Sequence, residues 1–194
     1  MNMMWTQSVS PMTAVLAGMV LLTMPGVRTG LDARAAEEGI ALAIVYDTSG
    51  SMADPVPDGA GRRSPKYQIA NRALTAIIDR LQAVARSSPQ DSPRKIETGL
   101  FTFRDHHCVP AVPFGPLDAP ALRGWLKKFS GPQGSTPLGE SLQVAGKTVL
   151  ASSLARKHIL VITDGINTAG PDPASTWPRV RAQAAEKGLS LIHI

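Results

Sequence analysis

The stretch IALAIVY, residues 40–46, is an unbroken apolar run that ends abruptly at Asp47. Such a run, without alternation of polar and apolar residues, predicts a strand buried on both faces of a parallel sheet. A second run of this kind, HILVIT at residues 158–163, ends at Asp164. We therefore expect two buried strands, each followed directly by an aspartate.

Helical and extended patterns alternate around these two runs. Apolar residues recur at helical spacing up to about residue 86, with Ser64 expected as the N-cap and Pro65 as the first helical residue. Further strands are expected at 96–103, 108–112 and 189–194, and further helices at 118–129, after Pro137 and at 177–187. Pro110 restricts the strand at 108–112 to a sheet edge. The alternation predicts an α/β fold with a mainly parallel sheet.

Composition narrows the class of protein. With 43% hydrophobic and 18% charged residues, the 194-residue chain can bury a core, and disorder is excluded as its main state. The net charge of +5 comes from scattered basic residues that form no long run and have few aromatic neighbours. These residues are expected to form solvated faces and not a nucleic-acid surface. An acidic partner is compatible with the charge.

Several other residues of potential chemical interest have ordinary explanations. Cys108 is the only cysteine, which excludes an intrachain disulfide and a cysteine-based zinc cluster. The segment DHHC, residues 105–108, is a poor soft-metal site because successive extended residues point to opposite faces, so a surface loop is favoured. His158, at the start of a buried strand, and Trp125 and Trp177, on helical faces, are expected to be structural.

The first 35 residues are expected to be a signal peptide. Residues 12–24 are apolar, too short a run to span a membrane, which takes about 20 residues, but suited to a signal segment. Ala33-Arg34-Ala35 fits the small-x-small rule for cleavage after Ala35. No Lys or Arg precedes the run, so a mis-assigned start with a loose tail and a retained anchor stay open. The domain is expected to be exported, with membrane association only if the segment is retained.

A group of oxygen-bearing side chains follows the first buried strand. Asp47, Ser49 and Ser51 can point toward one spot if the loop curls, and Gly50 permits the curl. Hard oxygen ligands suit Mg²⁺, Mn²⁺ or Ca²⁺. The alternative is a plain turn, since Asp and Ser commonly cap backbone groups after strands.

Two more residues, each with an ordinary explanation, extend this group. Thr136 precedes Pro137 and can cap the following helix, and Asp164 before Gly165 can be a turn residue. Taken together with Asp47, however, they form a pattern. Ligands of open α/β sheets bind outside the carboxyl ends of the strands, where the strand order reverses. Asp47 and Asp164 occupy two such ends, and Thr136 lies in the loop that leads to the helix before the second.

The three pieces resemble the metal-ion-dependent adhesion site (MIDAS) of von Willebrand factor A domains. They are Asp47-x-Ser49-x-Ser51, the loop 134–138 (GSTPL) around Thr136, and Thr163-Asp164-Gly165. The five ligand positions match in type and chain order, with 85 residues from Ser51 to Thr136 and 28 from there to Asp164. The resemblance covers about residues 38–194.

The resemblance implies a doubly wound, mainly parallel sheet of order 3-2-1-4-5-6 flanked by helices. It also implies that Asp47, Ser49, Ser51, Thr136 and Asp164 hold one divalent ion, expected to be Mg²⁺, directly or through water. An open coordination position would accept a carboxylate from a partner protein. The family's last strand and helix have no counterpart before Ile194, which suggests a C-terminally incomplete fragment.

The main hypothesis is therefore a non-enzymatic, metal-dependent protein-binding module. Loops 52–63, 104–107, 130–135 and 165–173 would form the rim that selects the partner. A serine hydrolase is disfavoured because the loops that carry the five predicted ligands hold no histidine base and the chain has no GxSxG motif. A hydrolase using the same ion to activate water, and a scaffold domain in which the metal is purely structural, remain alternatives.

Overall fold

The computed structural model describes residues 36–57, 59, 61–87, 94–184 and 189–193. The described part contains the strands β1 (Glu37–Tyr46), β2 (Pro55–Pro57), β3 (Arg63–Pro65), β4 (Lys95–Arg104), β5 (His107–Pro116), β6 (Leu154–Ile162) and β7 (Leu189–His193). Its helices are α1 (Lys66–Arg86), α2 (Ala119–Lys128), α3 (Leu138–Ala151) and α4 (Pro173–Gln183), with a 3₁₀ turn at Gly50–Ala53. None of the described helices is long and apolar enough to cross a membrane. The predicted signal peptide, residues 1–35, lies outside the described residues.

Five strands form the central sheet in the order β5-β4-β1-β6-β7. β1 pairs in parallel with β4 and β6, and β6 pairs in parallel with β7, whereas β5 is an antiparallel edge strand. Numbered along the chain, the five strands have the order 3-2-1-4-5, as expected. The predicted α/β fold with a mainly parallel sheet flanked by helices is confirmed. β2 and β3 form a separate antiparallel hairpin.

β1 lies in the middle of the sheet, and both of its faces are covered. Residues 41–46 are each at most 7% exposed. Leu42, Ile44 and Tyr46 pack into one core layer with residues of α1 and α2. Ala41, Ala43 and Val45 pack into the other layer with residues of α3. This two-sided burial explains why the run 40–46 shows no polar alternation.

The starts of two helices differ from the sequence expectation. α1 begins at Lys66, and Ser64 pairs with Val56 in the β2–β3 hairpin instead of capping the helix. α3 begins at Leu138 with Pro137 at the cap position, and no side chain caps it. The predicted cap at Ser64 is therefore wrong. The capping role of Thr136 is also absent, which removes the main alternative explanation for that residue.

The last described helix is displaced from its predicted position. α4 covers Pro173–Gln183 and not 177–187, because the Asp172 side chain accepts a hydrogen bond from Ala174 N at 2.9 Å and caps the helix there. Asp172-Pro173 is a cap-plus-proline start of the kind expected at Ser64-Pro65. The Gly- and Pro-rich composition of the preceding segment obscured this signal.

The remaining elements agree with their predicted roles. β5 carries Pro110 at the sheet edge, although it is longer than the predicted strand 108–112. Trp125 stacks on Phe129 at a ring distance of 5.0 Å against the first core layer, and Trp177 packs against the second. His158 joins β6 to β7 through a 2.5 Å contact of its Nδ1 with Ser190 Oγ. These contacts support structural roles for both tryptophans and for His158.

Candidate functional site

The candidate site lies where the carboxyl ends of β1 and β6 meet. Tyr46 pairs with Ile162, and the next residue, Asp47, donates its N–H to the Ile162 carbonyl at 2.9 Å. Asp164 follows two residues after Ile162. β4 lies on the other side of β1, so this edge is where the strand order reverses. The two aspartates are thus brought to the same place, as their positions after the two buried strands predicted.

Asp47 is fully buried, and both oxygens of its carboxylate accept hydrogen bonds. Ser49 N donates to Oδ1 at 2.7 Å, and Thr163 Oγ1 donates to Oδ2 at 2.5 Å. These partners offset part of the cost of removing the carboxylate from water. They also fix its direction, while each oxygen keeps a further lone pair for a cation.

Ser49, Ser51 and Asp164 form a chain of contacts that leads from the buried end of the site to the surface. The hydroxyls of the two serines lie 3.2 Å apart. Ser51 Oγ donates to Asp164 Oδ1 at 3.0 Å. Ser49 is buried, whereas Ser51 is exposed. Four of the five predicted ligands are therefore joined by short polar contacts on a path open to solvent at one end.

Thr136 enters the same space from the loop before α3. It is 2% exposed, and its backbone is tied to Thr168, whose Oγ1 accepts from Thr136 N at 2.8 Å. A Cβ on Gly165 would lie 3.6 Å from Asp47 Oδ2, 3.7 Å from Thr136 Oγ1 and 3.8 Å from Thr163 Oγ1. These three oxygens therefore surround one point, and Gly165 leaves that point free of side chain.

Backbone contacts hold the three loops of the site together. Gly50 N donates to the Gly134 carbonyl at 3.0 Å, and Gln133 N donates to the Thr48 carbonyl at 2.7 Å. Gly134 has a φ of +85°, a conformation that glycine adopts without strain. On the far side, a Cβ on Gly139 would collide with the Pro171 carbonyl, so that glycine lets the loop after Asp164 pack on the start of α3.

Lys66, the first residue of α1, also belongs to the site. Its ammonium donates to Asp164 Oδ2 at 2.5 Å and lies 3.6 Å from Asp54 Oδ2. The hydrogen bond to Asp164 raises the pKa of Lys66 above its ordinary value. Lys66 could not be identified from the sequence, because helical periodicity places it near the start of a helix but does not show which loop that helix end faces.

Thr48 and Thr163 are two further site residues to which the sequence alone assigned no role. Thr48 Oγ1 donates to the Phe103 carbonyl at 3.1 Å and accepts from Phe103 N at 3.0 Å, which joins the first loop to β4. Thr163 orients Asp47, as described above. Its position directly before Asp164 at a strand end was the available signal.

Two histidines from the tip of the β4–β5 hairpin lie next to the candidate site. His106 Nδ1 lies 2.6 Å from Ser135 Oγ, one residue before Thr136, and His107 Nδ1 lies 3.3 Å from Glu140 Oε2. The loops that carry the five predicted ligands contain no histidine, as the sequence indicated, but His106 from another part of the chain lies beside one of them. The tip of the β4–β5 hairpin reaches the loop before α3, a long-range contact that residue spacing does not reveal. Cys108 is buried, and burial raises the pKa of its thiol to about 11.

The donor set of the five predicted ligands suits a hard divalent cation. Two carboxylates and three hydroxyls are the oxygen ligands preferred by Mg²⁺, Mn²⁺ and Ca²⁺. No group of three or more His, Cys, Asp and Glu side chains that can hold a metal ion occurs in the described part of the chain. Asp164 already pairs with the Lys66 ammonium, which a metal ion would have to displace or share. The residues thus fit a single divalent ion held largely by hydroxyl oxygens.

Residues 42–167 match the family model of the von Willebrand factor type A domain. This match covers more than half of the chain and includes all five candidate ligands. The chain therefore belongs to the von Willebrand factor type A domain family.

One similar protein is much longer than this chain. The uncharacterized protein Rv2850c of Mycobacterium tuberculosis is 29% identical over 161 residues, which cover 80% of this chain and 21% of that protein. The chain therefore spans about a fifth of that relative's length.

Solved structures agree with the fold. The vWF domain of the type V pili tip protein Mfa5 from Porphyromonas gingivalis is 17% identical with a TM-score of 0.51, over 67% of this chain and 39% of that one. Proximal thread matrix protein 1 from the mussel byssus, solved with a zinc-occupied MIDAS motif, is 18% identical with a TM-score of 0.55, over 80% of this chain and 35% of that one. At these identities the likeness extends to the fold alone.

Proposed function

We propose that this domain binds one divalent cation and uses it to hold an acidic side chain of a partner protein. Asp47, Ser49, Ser51, Thr136 and Asp164 would hold the ion, with Mg²⁺ preferred and Mn²⁺ or Ca²⁺ as alternatives. The supporting observation is that oxygen side chains from three separate loops meet at the ends of β1 and β6. When bound, the ion supplies a positive centre that a carboxylate can reach.

The number of oxygen ligands that the site supplies determines whether a partner can reach the ion. Mg²⁺ takes six oxygen ligands in near-octahedral geometry, so five side chains leave at least one position for water or a partner oxygen. Ser51 is exposed, and the Asp164 side chain keeps 12% of its surface accessible, which supports a site whose open end faces solvent. The rim loops 52–63, 104–107, 130–135 and 165–173 would contact the rest of the partner, and Ile166 in the last of them is 85% exposed.

An exported location accords with this function. The predicted signal peptide at residues 1–35 would direct the domain to the periplasm, the cell surface or the medium. The structural neighbours include a pilus tip protein and a byssus matrix protein. We propose that this domain, like those, acts outside the cytoplasm.

A binding module fits the site better than an enzyme does. The Ser135–His106 contact is the arrangement of a nucleophile and its base. However, no carboxylate in the described part of the chain orients the other ring nitrogen of His106, and His106 is exposed. A serine hydrolase needs such a third group and a shielded site. We therefore propose a non-enzymatic role.

Calorimetric titration of the chain with Mg²⁺ tests the site, and titration with a capped peptide containing one aspartate among glycines tests the function. We expect Asp47→Ala to abolish Mg²⁺ binding and Thr136→Val to weaken it about tenfold. Thr148→Val, which removes a hydroxyl bonded within α3, is the matched control and should bind like the wild type. The peptide should bind in the presence of Mg²⁺ and not in the presence of EDTA.

Equal Mg²⁺ binding by Asp47→Ala and the wild type would contradict the assignment of the metal ligands. Peptide binding that does not depend on the metal would contradict the proposed function.

A further inference from the structure

A polar cleft lies beside the candidate metal site, between the end of β4 and the end of α2. It encloses about 210 Å³, and its polar lining includes Thr48, Thr102, Arg104, Lys128, Ser130 and Gln133. The cleft is therefore lined by two cations together with hydroxyl and amide groups. We refer to it as the basic cleft.

The two cations of the basic cleft have no carboxylate partner within the part of the chain that the structure describes. Arg104 and Lys128 are both exposed, and neither forms an ion pair or a side-chain hydrogen bond with the described residues. Other cations of the domain do have carboxylate partners, among them Lys66 with Asp164 and Arg123 with Asp79. The basic cleft therefore offers two free positive charges to an incoming anion.

The basic cleft and the candidate metal site share a wall. Thr48 lines the cleft and lies between Asp47 and Ser49 in the chain. Its Cα is therefore about 3.8 Å from the Cα of each of these predicted ligands. Gln133, also in the cleft wall, donates its N–H to the Thr48 carbonyl at 2.7 Å. One bound peptide segment can thus reach both places.

We infer that the basic cleft binds a second carboxylate of the same acidic partner segment whose first carboxylate binds the metal ion. This inference rests on the proposed function and adds to it a preferred partner, a protein segment with two acidic residues close together. Arg104 and Lys128 would donate charge-assisted hydrogen bonds to the second carboxylate, and Ser130 and Gln133 would offer neutral donors. Because the cations are exposed, the gain is expected to be modest and sensitive to salt.

Lys128 also has a structural role that the experiment must separate from binding. It lies in the last turn of α2, where a cation interacts favourably with the helix dipole. Replacing it can therefore lower stability without any change in ligand binding. Thermal unfolding of each variant distinguishes the two effects, and a midpoint within about 2 °C of the wild type shows that the fold is retained.

The test compares two capped peptides of equal length, one with a single aspartate among glycines and one with two aspartates separated by one glycine. Each is titrated into the 194-residue chain with Mg²⁺ and with EDTA. The wild type should bind the two-aspartate peptide at least about fivefold more tightly. Arg104→Gln/Lys128→Gln should reduce this preference to about twofold, the statistical advantage of two equivalent carboxylates, while metal-dependent binding of the one-aspartate peptide persists.

The matched control removes two cations far from the site that have no ion-pair partner among the described residues. Arg80→Gln/Arg86→Gln carries the same change in charge on α1, whose end at Arg86 is about 30 Å from Lys66. This variant should keep the wild-type preference. The proposal that the basic cleft binds a second carboxylate would be overturned by either of two results. One is a wild-type preference for the two-aspartate peptide of about twofold or less, and the other is an equal loss of that preference in the control variant.

Failure of the metal site gives a different result. Peptide binding that is equal in Mg²⁺ and EDTA, yet still sensitive to Arg104→Gln/Lys128→Gln, would overturn the proposed function and leave the cleft as an independent anion site.

Discussion

The two aspartates of the site end neighbouring strands, yet their surroundings differ. Asp47 is fully buried, and the chain itself supplies a donor to each of its oxygens, from Ser49 N and Thr163 Oγ1. Asp164 lies at the surface end of the site, and its oxygens accept from Ser51 Oγ and from the Lys66 ammonium. One carboxylate is thus held by fixed groups, and the other by a flexible cation.

The two carboxylates should therefore contribute to metal binding in different ways. The direction of Asp47 is set before any ion arrives, so binding an ion requires little rearrangement there. At Asp164 the ion must replace, or share the carboxylate with, a lysine whose long side chain can move away. Asp47 should therefore contribute to both stability and metal binding, and Asp164 mainly to metal binding. The following predictions test that division, from the largest expected effect to the smallest.

The largest effect is expected for Asp47→Ala on stability without metal. The substitution removes the acceptor of the buried Ser49 N–H and leaves a small cavity, so we expect a loss of about 2 kcal/mol in the free energy of unfolding. Asp164→Ala should cost less, about 1 kcal/mol or below, because Ser51 and Lys66, which donate to Asp164, lie at the surface end of the site and can turn to water. Urea unfolding followed by circular dichroism, in EDTA, measures both.

Equal stability losses for Asp47→Ala and Asp164→Ala would show that the proposed division is wrong. The exposed Asp79→Ala, which breaks the ion pair with Arg123, is a control for the general effect of removing a paired aspartate. It should resemble Asp164→Ala.

The second prediction concerns metal affinity at the surface end of the site. Asp164→Asn keeps the shape of the side chain and removes its charge, so Mg²⁺ binding should weaken at least about tenfold. Asp79→Asn should bind like the wild type. Calorimetry measures the affinities, and the rise in unfolding temperature at saturating Mg²⁺ gives an independent check. An unchanged affinity in Asp164→Asn would remove Asp164 from the ligand set.

The positions of the two aspartates could be predicted from the sequence, but their hydrogen-bond partners could not. The apolar runs that end at Asp47 and Asp164 identified the sheet, its centre and the edge at which the site lies, because burial on both faces leaves a direct mark on composition. The partners of the two carboxylates were not visible in this way. Lys66 starts a helix about a hundred residues from Asp164 in the chain, and only the folded arrangement places its ammonium there.

The same limit applies to the helix ends. Ser64-Pro65 and Thr136-Pro137 are similar sequence signals, but neither Ser64 nor Thr136 caps a helix. Ser64 pairs with Val56 in the β2–β3 hairpin, and Thr136 is held in the site loop by the hydrogen bond from its N–H to Thr168 Oγ1. Asp172-Pro173 did start a helix. Local capping preferences are worth about 1 kcal/mol, which tertiary contacts readily outweigh.

The third prediction concerns Thr163, the hydroxyl that holds Asp47. Thr163→Val preserves the shape of the side chain and leaves Asp47 Oδ2 without its donor, so the free energy of unfolding in EDTA should fall by about 1 kcal/mol. Saturating Mg²⁺ should recover part of this loss, because the ion supplies a new partner for the carboxylate. Thr75→Val, which removes a hydroxyl bonded within α1, should have little effect in either condition. A loss unaffected by Mg²⁺ would show that Asp47 Oδ2 does not face the ion.

The smallest effect, and the only gain, is expected at Lys66. Lys66→Met removes the cation that competes for Asp164 while keeping the length of the apolar stem, so Mg²⁺ affinity should rise about threefold. Lys66→Arg keeps the charge and should bind Mg²⁺ no more tightly than the wild type. Because the competition is electrostatic and partly exposed, the advantage of Lys66→Met should shrink when NaCl is raised from 0.05 to about 1 M. Weaker Mg²⁺ binding by Lys66→Met would mean that the lysine supports the ion's ligands instead of competing with the ion, since removal of a competitor cannot lower affinity.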